Sequence, residues 1–303
     1  MLSEYSACRL CPFECGVDRA NGKLGRCRSS ADMKVARIAP HYWEEPCLSG
    51  QGIEDEIKGS GTVFFTGCCL RCVYCQNQKI SRPSGEIGRV YSPSELADEF
   101  IRLQEQGVNN INLVTASHFI PSVIKTLDIA KARGLLLPVV FNCGGYESVS
   151  SLKMLEGYVD IYLPDFKYYS YKSAENYSSA PNYREVCLEA IREMQRQTGR
   201  PIFSENGFML KGTIIRHLIL PGSDLDSRRI ISLIHENFGC DGVGLSLMSQ
   251  YTPVCETPYP ELSETLPSSA YLRVVEHAQK LGFELLYTQD GGSASESFIP
   301  EFR

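Results

Sequence analysis

The chain has 303 residues, 30 Lys and Arg against 36 Asp and Glu, a net charge of −6 and 43% hydrophobic residues. This balance excludes a low-hydrophobicity, high-charge disordered chain, and without a global basic footprint it disfavours nucleic acid as a partner. The length suffices for one large domain or two smaller ones.

No run approaches the roughly 18 apolar residues of a membrane span. The best stretch, Leu135 to Phe141, is short and contains Pro138. The opening residues, MLSEYSACRLCPFECG, lack the basic and apolar regions of a secretory signal. The expected location is the cytoplasm, where disulfides are rare. Residues 1–55 show little periodic hydrophobic pattern and are rich in Cys, Gly and charge.

From Gly61 the pattern becomes regular. Thr62 to Thr66 is predicted as a strand. Ser92-Pro93-Ser94-Glu95 starts a helix, with Ser92 as N-cap, Pro93 at the first helical position and Glu95 closing a capping box. Leu96, Phe100 and Leu103 share one helical face, and Gly107 ends the helix. Strands then alternate with helices: strand 110–114, helix 121–133, strand 136–142, helix 149–155, strand 159–163, helix 183–197, strand 213–220, helix 227–238, strand 242–247, helix 267–281 and strand 283–287. Such alternation predicts right-handed βαβ units and a parallel sheet, closed into a complete or partial β/α barrel. Functional residues are then expected where strands end. The expected organisation is a Cys-rich segment 1–55, a β/α core 56–288 and a loose tail 289–303.

Thirteen cysteines need an account. Cys8, Cys11, Cys15 and Cys27 fall in the first thirty residues. Cys68, Cys72 and Cys75 form a second group, with Cys69 beside them. The scattered Cys47, Cys143, Cys187, Cys240 and Cys255 are expected to pack as small hydrophobes. C-x3-C-x2-C directly after a strand offers three thiolates on one loop. They can hold three irons of a cubic cluster and leave the fourth iron open for chemistry. Cys69, Cys72 and Cys75 also spell a ferredoxin-like C-x2-C-x2-C, so either Cys68 or Cys69 can supply the first ligand. At the N-terminus, C-x2-C-x3-C-x11-C supplies four thiolates that fit structural zinc or a closed iron–sulfur cluster equally.

GTVFFTGCCLRCVYCQN resembles the radical S-adenosylmethionine (SAM) superfamily, and within it the homologues of pyruvate formate-lyase activating enzyme. HYWEEPCLSG, NINLVTASHF, VDIYLPDFKY, RHLILPG and LMSQYTP carry the same likeness, so it spans nearly the whole chain. The resemblance implies a partial (β/α)6-type barrel and a 4Fe–4S cluster on Cys68, Cys72 and Cys75. It implies an oxidoreductase that reductively cleaves SAM to a 5′-deoxyadenosyl radical for hydrogen abstraction. It favours Cys68 over Cys69 as first ligand. Tyr74 matches an aromatic of the adenine pocket. Thr115 and Ser117 stand where relatives carry Gly-Gly-Glu for the SAM amino group, with His118 a weaker candidate. Asn142 matches an Asn-Gly turn, Asp165 and Lys167 an Asp-x-Lys motif, and Arg216 a SAM-contacting arginine. Tyr251 follows Gln250 where relatives place a His near the adenosine. The implied partners are a reductant such as flavodoxin or ferredoxin and a glycyl-radical protein as substrate, with another polypeptide or a small molecule as alternatives. A non-catalytic iron–sulfur electron carrier is the reading from a different class.

Overall fold

The computed structural model describes residues 3–50, 59–83, 87–253, 256–289 and 302. Cys255 and all of the expected tail except Gln289 and Phe302 lie outside the described residues. The strands are β1 Lys34–His41, β2 Ser60–Phe65, β3 Arg89–Val90, β4 Ile111–Val114, β5 Val139–Cys143, β6 Ile161–Pro164, β7 Ile202–Phe203, β8 Met209–Leu218, β9 Gly244–Met248 and β10 Leu286–Thr288. The helices are α1 Pro46–Ser49, α2 Gln78–Ser81, α3 Pro93–Glu105, α4 Ile120–Ala132, α5 Val149–Met154, α6 Tyr171–Ser178, α7 Tyr183–Thr198, α8 Asp224–Phe238 and α9 Ser268–Leu281.

One open sheet runs β10–β9–β8–β6–β5–β4–β2–β1–β3, with β7 beside β8. From β2 to β10 the neighbours along this path are parallel. This is the mostly parallel partial barrel that the alternation predicts. Antiparallel pairing is confined to β1 with β2 and β3, and to β7 with β8.

Period-2 alternation separates two cores. On β5, Val139, Phe141 and Cys143 join the large cluster that also holds Leu96, Phe100 and Leu103 of α3. Val140 faces the other way and packs with Ile161, Leu163, Ile214, Met209, Cys47 and Leu48. The inward face is therefore filled at one end by α1, whose Leu48 is fully buried. The polar residues of the site occupy the other end, where the parallel strands finish.

The capping box is present. Glu95 donates its backbone N–H to Ser92 Oγ at 3.2 Å, and the Ser92 N–H donates to Glu95 Oε2 at 2.8 Å. Six elements, β1, β3, β7, α1, α2 and α6, lie outside the expected set. β1 sits within residues 1–55 yet pairs with β2 over Val35 to His41, so the sheet begins before residue 56. It is an edge-side strand whose Pro40 and mixed polarity hide its pattern. α6 buries only Ala174, Tyr177 and Ser178, too few to mark a helical period.

Candidate active site

The loop after β2 carries the central cysteines. Gly67 opens it at φ +86°, a left-handed conformation suited to glycine. A Cβ there would stand 2.6 Å from the Cys27 carbonyl oxygen and would also strike Ser29 Oγ. The N-terminal segment is thus packed directly against the start of this loop. Cys68, Cys72 and Cys75 all line one cavity of about 190 Å³. Cys69 does not. It is buried, hydrogen-bonded to both Cys11 and Cys68.

The three thiols sit in different fields. The Cys69 hydrogen bond, with backbone N–H groups of Arg71 and Leu70, draws Cys68 down to about 6. Burial pushes Cys72 up, although the Ser178 hydroxyl lies 3.0 Å from its sulfur. Burial pushes Cys75 up to about 12, against a 3.4 Å contact from Ser81 Oγ.

The strand ends supply the opposite wall. Asp165 follows β6, and Lys167 Nζ lies 2.5 Å from its Oδ2. Arg216 of β8 reaches Asp165 Oδ1 at 3.3 Å, Glu44 Oε2 at 2.9 Å and Asn142 Oδ1 at 3.1 Å. Side-chain exposures are 17% for Arg216, 6% for Glu44 and 18% for Asp165, so this is a buried network and not a surface ion pair. Burial opposes every charge here, yet mutual attraction wins. Asp165 is held below the usual carboxylate range by Lys167 and Arg216, while Asp165 holds Lys167 well above its usual range. Asp165, Lys167 and Arg216 are therefore ionised.

Tyr74 and Tyr251 complete the cavity. The Tyr74 hydroxyl donates to Tyr168 Oη at 2.8 Å, and its ring meets Tyr168, Tyr177 and Tyr251 edge-on at 6.1–6.4 Å. Such T-shaped contacts fix an aromatic wall. Thr115 lines the cavity with its hydroxyl bonded to the Asn142 carbonyl at 3.0 Å.

The structure thus brings Cys68, Cys72, Cys75, Tyr74, Thr115, Asn142, Asp165, Lys167, Arg216 and Tyr251 around one cavity. Ser117 is not among the lining residues. The 3₁₀ turn Ser117–Phe119 carries it beneath the sheet end, where its hydroxyl donates to Glu147 Oε1 at 2.8 Å. His118 also points away, bonded through Nε2 to the Thr66 carbonyl at 2.8 Å. Three residues are additions to the expected set. Glu44 anchors Arg216, Ser178 bonds Cys72, and Glu147 is a buried acid that burial raises to about 7. The doubled Glu44-Glu45 of HYWEEPCLSG was the available signal for the first.

The N-terminal cysteines also gather. A Cβ on Gly25 would stand 3.4 Å from Cys15 Sγ and 3.5 Å from Cys27 Sγ. Arg19, 1% exposed, donates to Cys8 Sγ at 3.4 Å and to the carbonyls of Ser29, Ser30 and His118 at 2.7–3.0 Å. Among the described residues no carboxylate pairs with Arg19. Its guanidinium is met by those three carbonyls and by the faces of Tyr5 and Phe119, at 4.9 and 5.6 Å from the ring centroids. Among the described residues no three His, Cys, Asp or Glu side chains converge tightly enough for one metal ion. A zinc ion needs sulfurs within roughly 4 Å of each other, given Zn–S bonds of about 2.3 Å. An iron–sulfur cluster binds each thiolate through a different iron and spreads them further. The donor set at Cys68, Cys72 and Cys75, three thiols facing one cavity, fits such a cluster.

A mostly parallel half-barrel with a three-thiol loop at its strand ends defines a class of loop-borne iron–sulfur enzyme. The profile of the Radical SAM superfamily matches residues 62–234, more than half of the chain, and the chain belongs to that superfamily. Membership implies a 4Fe–4S cluster and SAM. An uncharacterized protein of Methanocaldococcus jannaschii is 29% identical over 297 residues, covering 93% of this chain and 77% of its own. The solved structure of HydG, a maturase of the FeFe-hydrogenase, aligns with a TM-score of 0.50 at 12% identity over 77% of this chain and 52% of its own. A domain of pyruvate-formate lyase-activating enzyme from Bacteroides vulgatus aligns with a TM-score of 0.36 at 15% identity, over 65% of this chain and 91% of its own. At such identities HydG supports the fold alone. Among the described residues no helix is long and apolar enough to cross a membrane.

Proposed function

We propose that Cys68, Cys72 and Cys75 hold the 4Fe–4S cluster and that SAM binds in the adjoining cavity, with a polypeptide as the hydrogen donor. The carrying observation is that all three thiols face the same cavity as Lys167, Arg216 and Asn142. When bound, the cluster and SAM supply a one-electron cleavage that releases a 5′-deoxyadenosyl radical. The chain's own residues position and shield that chemistry. Lys167 and Arg216 present fixed positive charge suited to a carboxylate, and their partners Asp165 and Glu44 keep both in place before ligand arrives. Tyr74 and Tyr251 offer a rigid aromatic wall to the adenine. Thr115 and Asn142 add polar groups at the ends of β4 and β5.

The four N-terminal thiols hold a second metal centre in this reading. The expected division into 1–55, 56–288 and 289–303 stands as a proposal, with β1 shared between the first two parts. Activation of a glycyl-radical protein is the favoured substrate class, supported by the sequence likeness of LMSQYTP and its companion segments. The test is anaerobic reconstitution followed by SAM and dithionite. Formation of 5′-deoxyadenosine by the intact protein, and its loss in Cys72→Ala, is expected. An intact cluster with no 5′-deoxyadenosine would reject the enzyme in favour of an electron carrier. A glycyl-radical signal on a co-purified protein would identify the substrate class, whereas product on a small molecule would reject it.

A further inference from the structure

Behind the Asp165–Lys167 turn lies a second, smaller hole of about 10 Å³, between β8, α6 and α8. Lys167 lines both this hole and the site cavity. His217 lines it from β8, one position after Arg216, where strand alternation turns it to the opposite face. The residue is 1% exposed. Its Nδ1 lies 2.6 Å from the Phe166 carbonyl oxygen. A carbonyl can only accept, so Nδ1 carries the hydrogen and Nε2 is left as an acceptor. Burial holds the imidazole at about 4, which keeps the ring neutral and the Nε2 lone pair free. Among the described residues no group donates to Nε2, although the atom is shut off from solvent. Buried polar atoms in folded proteins have a partner, either in the protein or in an ordered water.

The hole meets the remaining conditions for such a water. Its volume is close to the roughly 10–15 Å³ that one molecule needs. Ser173, Ser223, Asp226 and Ser227 also line it, so further polar groups are at hand. The Ser227 hydroxyl already donates to the Ser223 carbonyl at 3.0 Å and has only lone pairs left to offer. A water supplies the hydrogens that Nε2 and Ser227 both lack. The other ring nitrogen bears directly on the site. The peptide joining Phe166 to Lys167 is held on both sides. Its carbonyl accepts from His217, and its N–H donates to the Tyr183 hydroxyl at 3.0 Å. An imidazole bonded at both nitrogens has its ring plane fixed, and with it the group it holds.

We propose that the hole binds one internal water molecule, which donates a hydrogen bond to His217 Nε2 and completes a clamp through which His217 positions Lys167. The water site stands on its own geometry. The consequence for ligand binding rests on the reading of Lys167 as a cation that receives the SAM carboxylate. In this arrangement the outer helix α8 is coupled to the cavity wall through the water, the imidazole and the Phe166–Lys167 peptide.

The experiment has a structural and a kinetic arm, both on the reconstituted full chain. A high-resolution crystal structure should show one ordered water within about 3.2 Å of His217 Nε2. A hole without ordered density, or a protein side chain turned in to donate to Nε2, overturns the proposal. In the kinetic arm, His217→Asn keeps an amide donor for the Phe166 carbonyl and removes Nε2. Ser227→Val fills the hole from α8 and leaves the Phe166 bond in place. Each should raise KM for SAM by about tenfold, the scale on which the outer partners of a ligand-holding group act. The kcat for 5′-deoxyadenosine formation should change far less, because what is lost is binding shared by ground and transition states. Iron content and melting temperature close to wild type show that a variant is loaded and folded, and Ser227→Val carries the test where His217→Asn does not fold. KM unchanged in folded variants, or a fall in kcat with KM unchanged, overturns the positioning role. Failure of the functional reading shows separately, as a wild type that holds the water and yields no 5′-deoxyadenosine.

Discussion

Replacing Arg216 by Met tests whether the ion network beneath the cavity is a structural foundation. Arg216 makes three contacts, to Glu44 at 2.9 Å, Asp165 at 3.3 Å and Asn142 at 3.1 Å. Methionine keeps the aliphatic bulk and removes all three. Glu44, 6% exposed, is then left without its cation, and Asp165 keeps only Lys167. Breaking one partner of a buried pair costs about 3–5 kcal/mol. An exposed pair would cost about 1 kcal/mol or less. The larger figure corresponds to a melting temperature lower by roughly 5–8 °C in a protein of this size. Thermal denaturation of the metal-free protein measures it without interference from cluster loss. Glu44→Gln combined with Arg216→Met should cost less than the sum of the two, by about 1–3 kcal/mol, because the second change removes the stranded charge. A loss below about 1 kcal/mol for Arg216→Met would refute the buried network and return it to a surface pair.

Gly67→Ala places a methyl group against the Cys27 carbonyl and Ser29 at φ +86°, and should destabilise by about 2–4 kcal/mol from backbone strain and overpacking. Limited proteolysis should then release the N-terminal segment first, whereas cleavage as slow as in wild type would show that the seam is loose. Leu48→Ala empties the inner core at α1 and should cost about 2–5 kcal/mol in denaturant titration. A cost under 1 kcal/mol would mean that the inner face is not packed there. Burial holds His118 at about 3 and His217 at about 4, below the usual histidine value. Their contribution is present above pH 6.5 and is lost as pH falls through that value toward 4 and 3. Glu147, raised to about 7, acts in the opposite sense, since the folded state favours its protonated form as pH falls from about 7 toward 4.5. The two histidines outweigh it, so the metal-free protein should lose stability on acidification, and His118→Gln should flatten that limb. An acid limb unchanged by His118→Gln would contradict a buried neutral imidazole.

Much of the fold could be read because its elements advertise themselves locally. Ser92 and Glu95 close a capping box three residues apart, and the apolar strands of a parallel sheet stand out against polar loops. The central thiols share that advantage, since their spacing is itself the signal. What escaped depends on contacts distant in sequence. Glu44 meets Arg216 across 172 positions, and nothing near HYWEEPCLSG states that its chain turns into the barrel. β1 is a strand because β2 is there to pair with it, not through its own pattern. Ser117 shows the opposite error. It follows β4 by three residues, as a ligand-binding group would, but a 3₁₀ turn carries it to Glu147 instead.

In the proposed function three loop thiols hold a cluster with one iron open toward the cavity. Electron paramagnetic resonance of the dithionite-reduced protein tests it most directly, in a variant whose Cys8, Cys11, Cys15 and Cys27 are all Ala. The signal of one reduced 4Fe–4S cluster is expected, and a changed signal once SAM is added. A reduced cluster whose signal is indifferent to SAM, or that survives Cys68→Ser and is lost in Cys69→Ser, would contradict it.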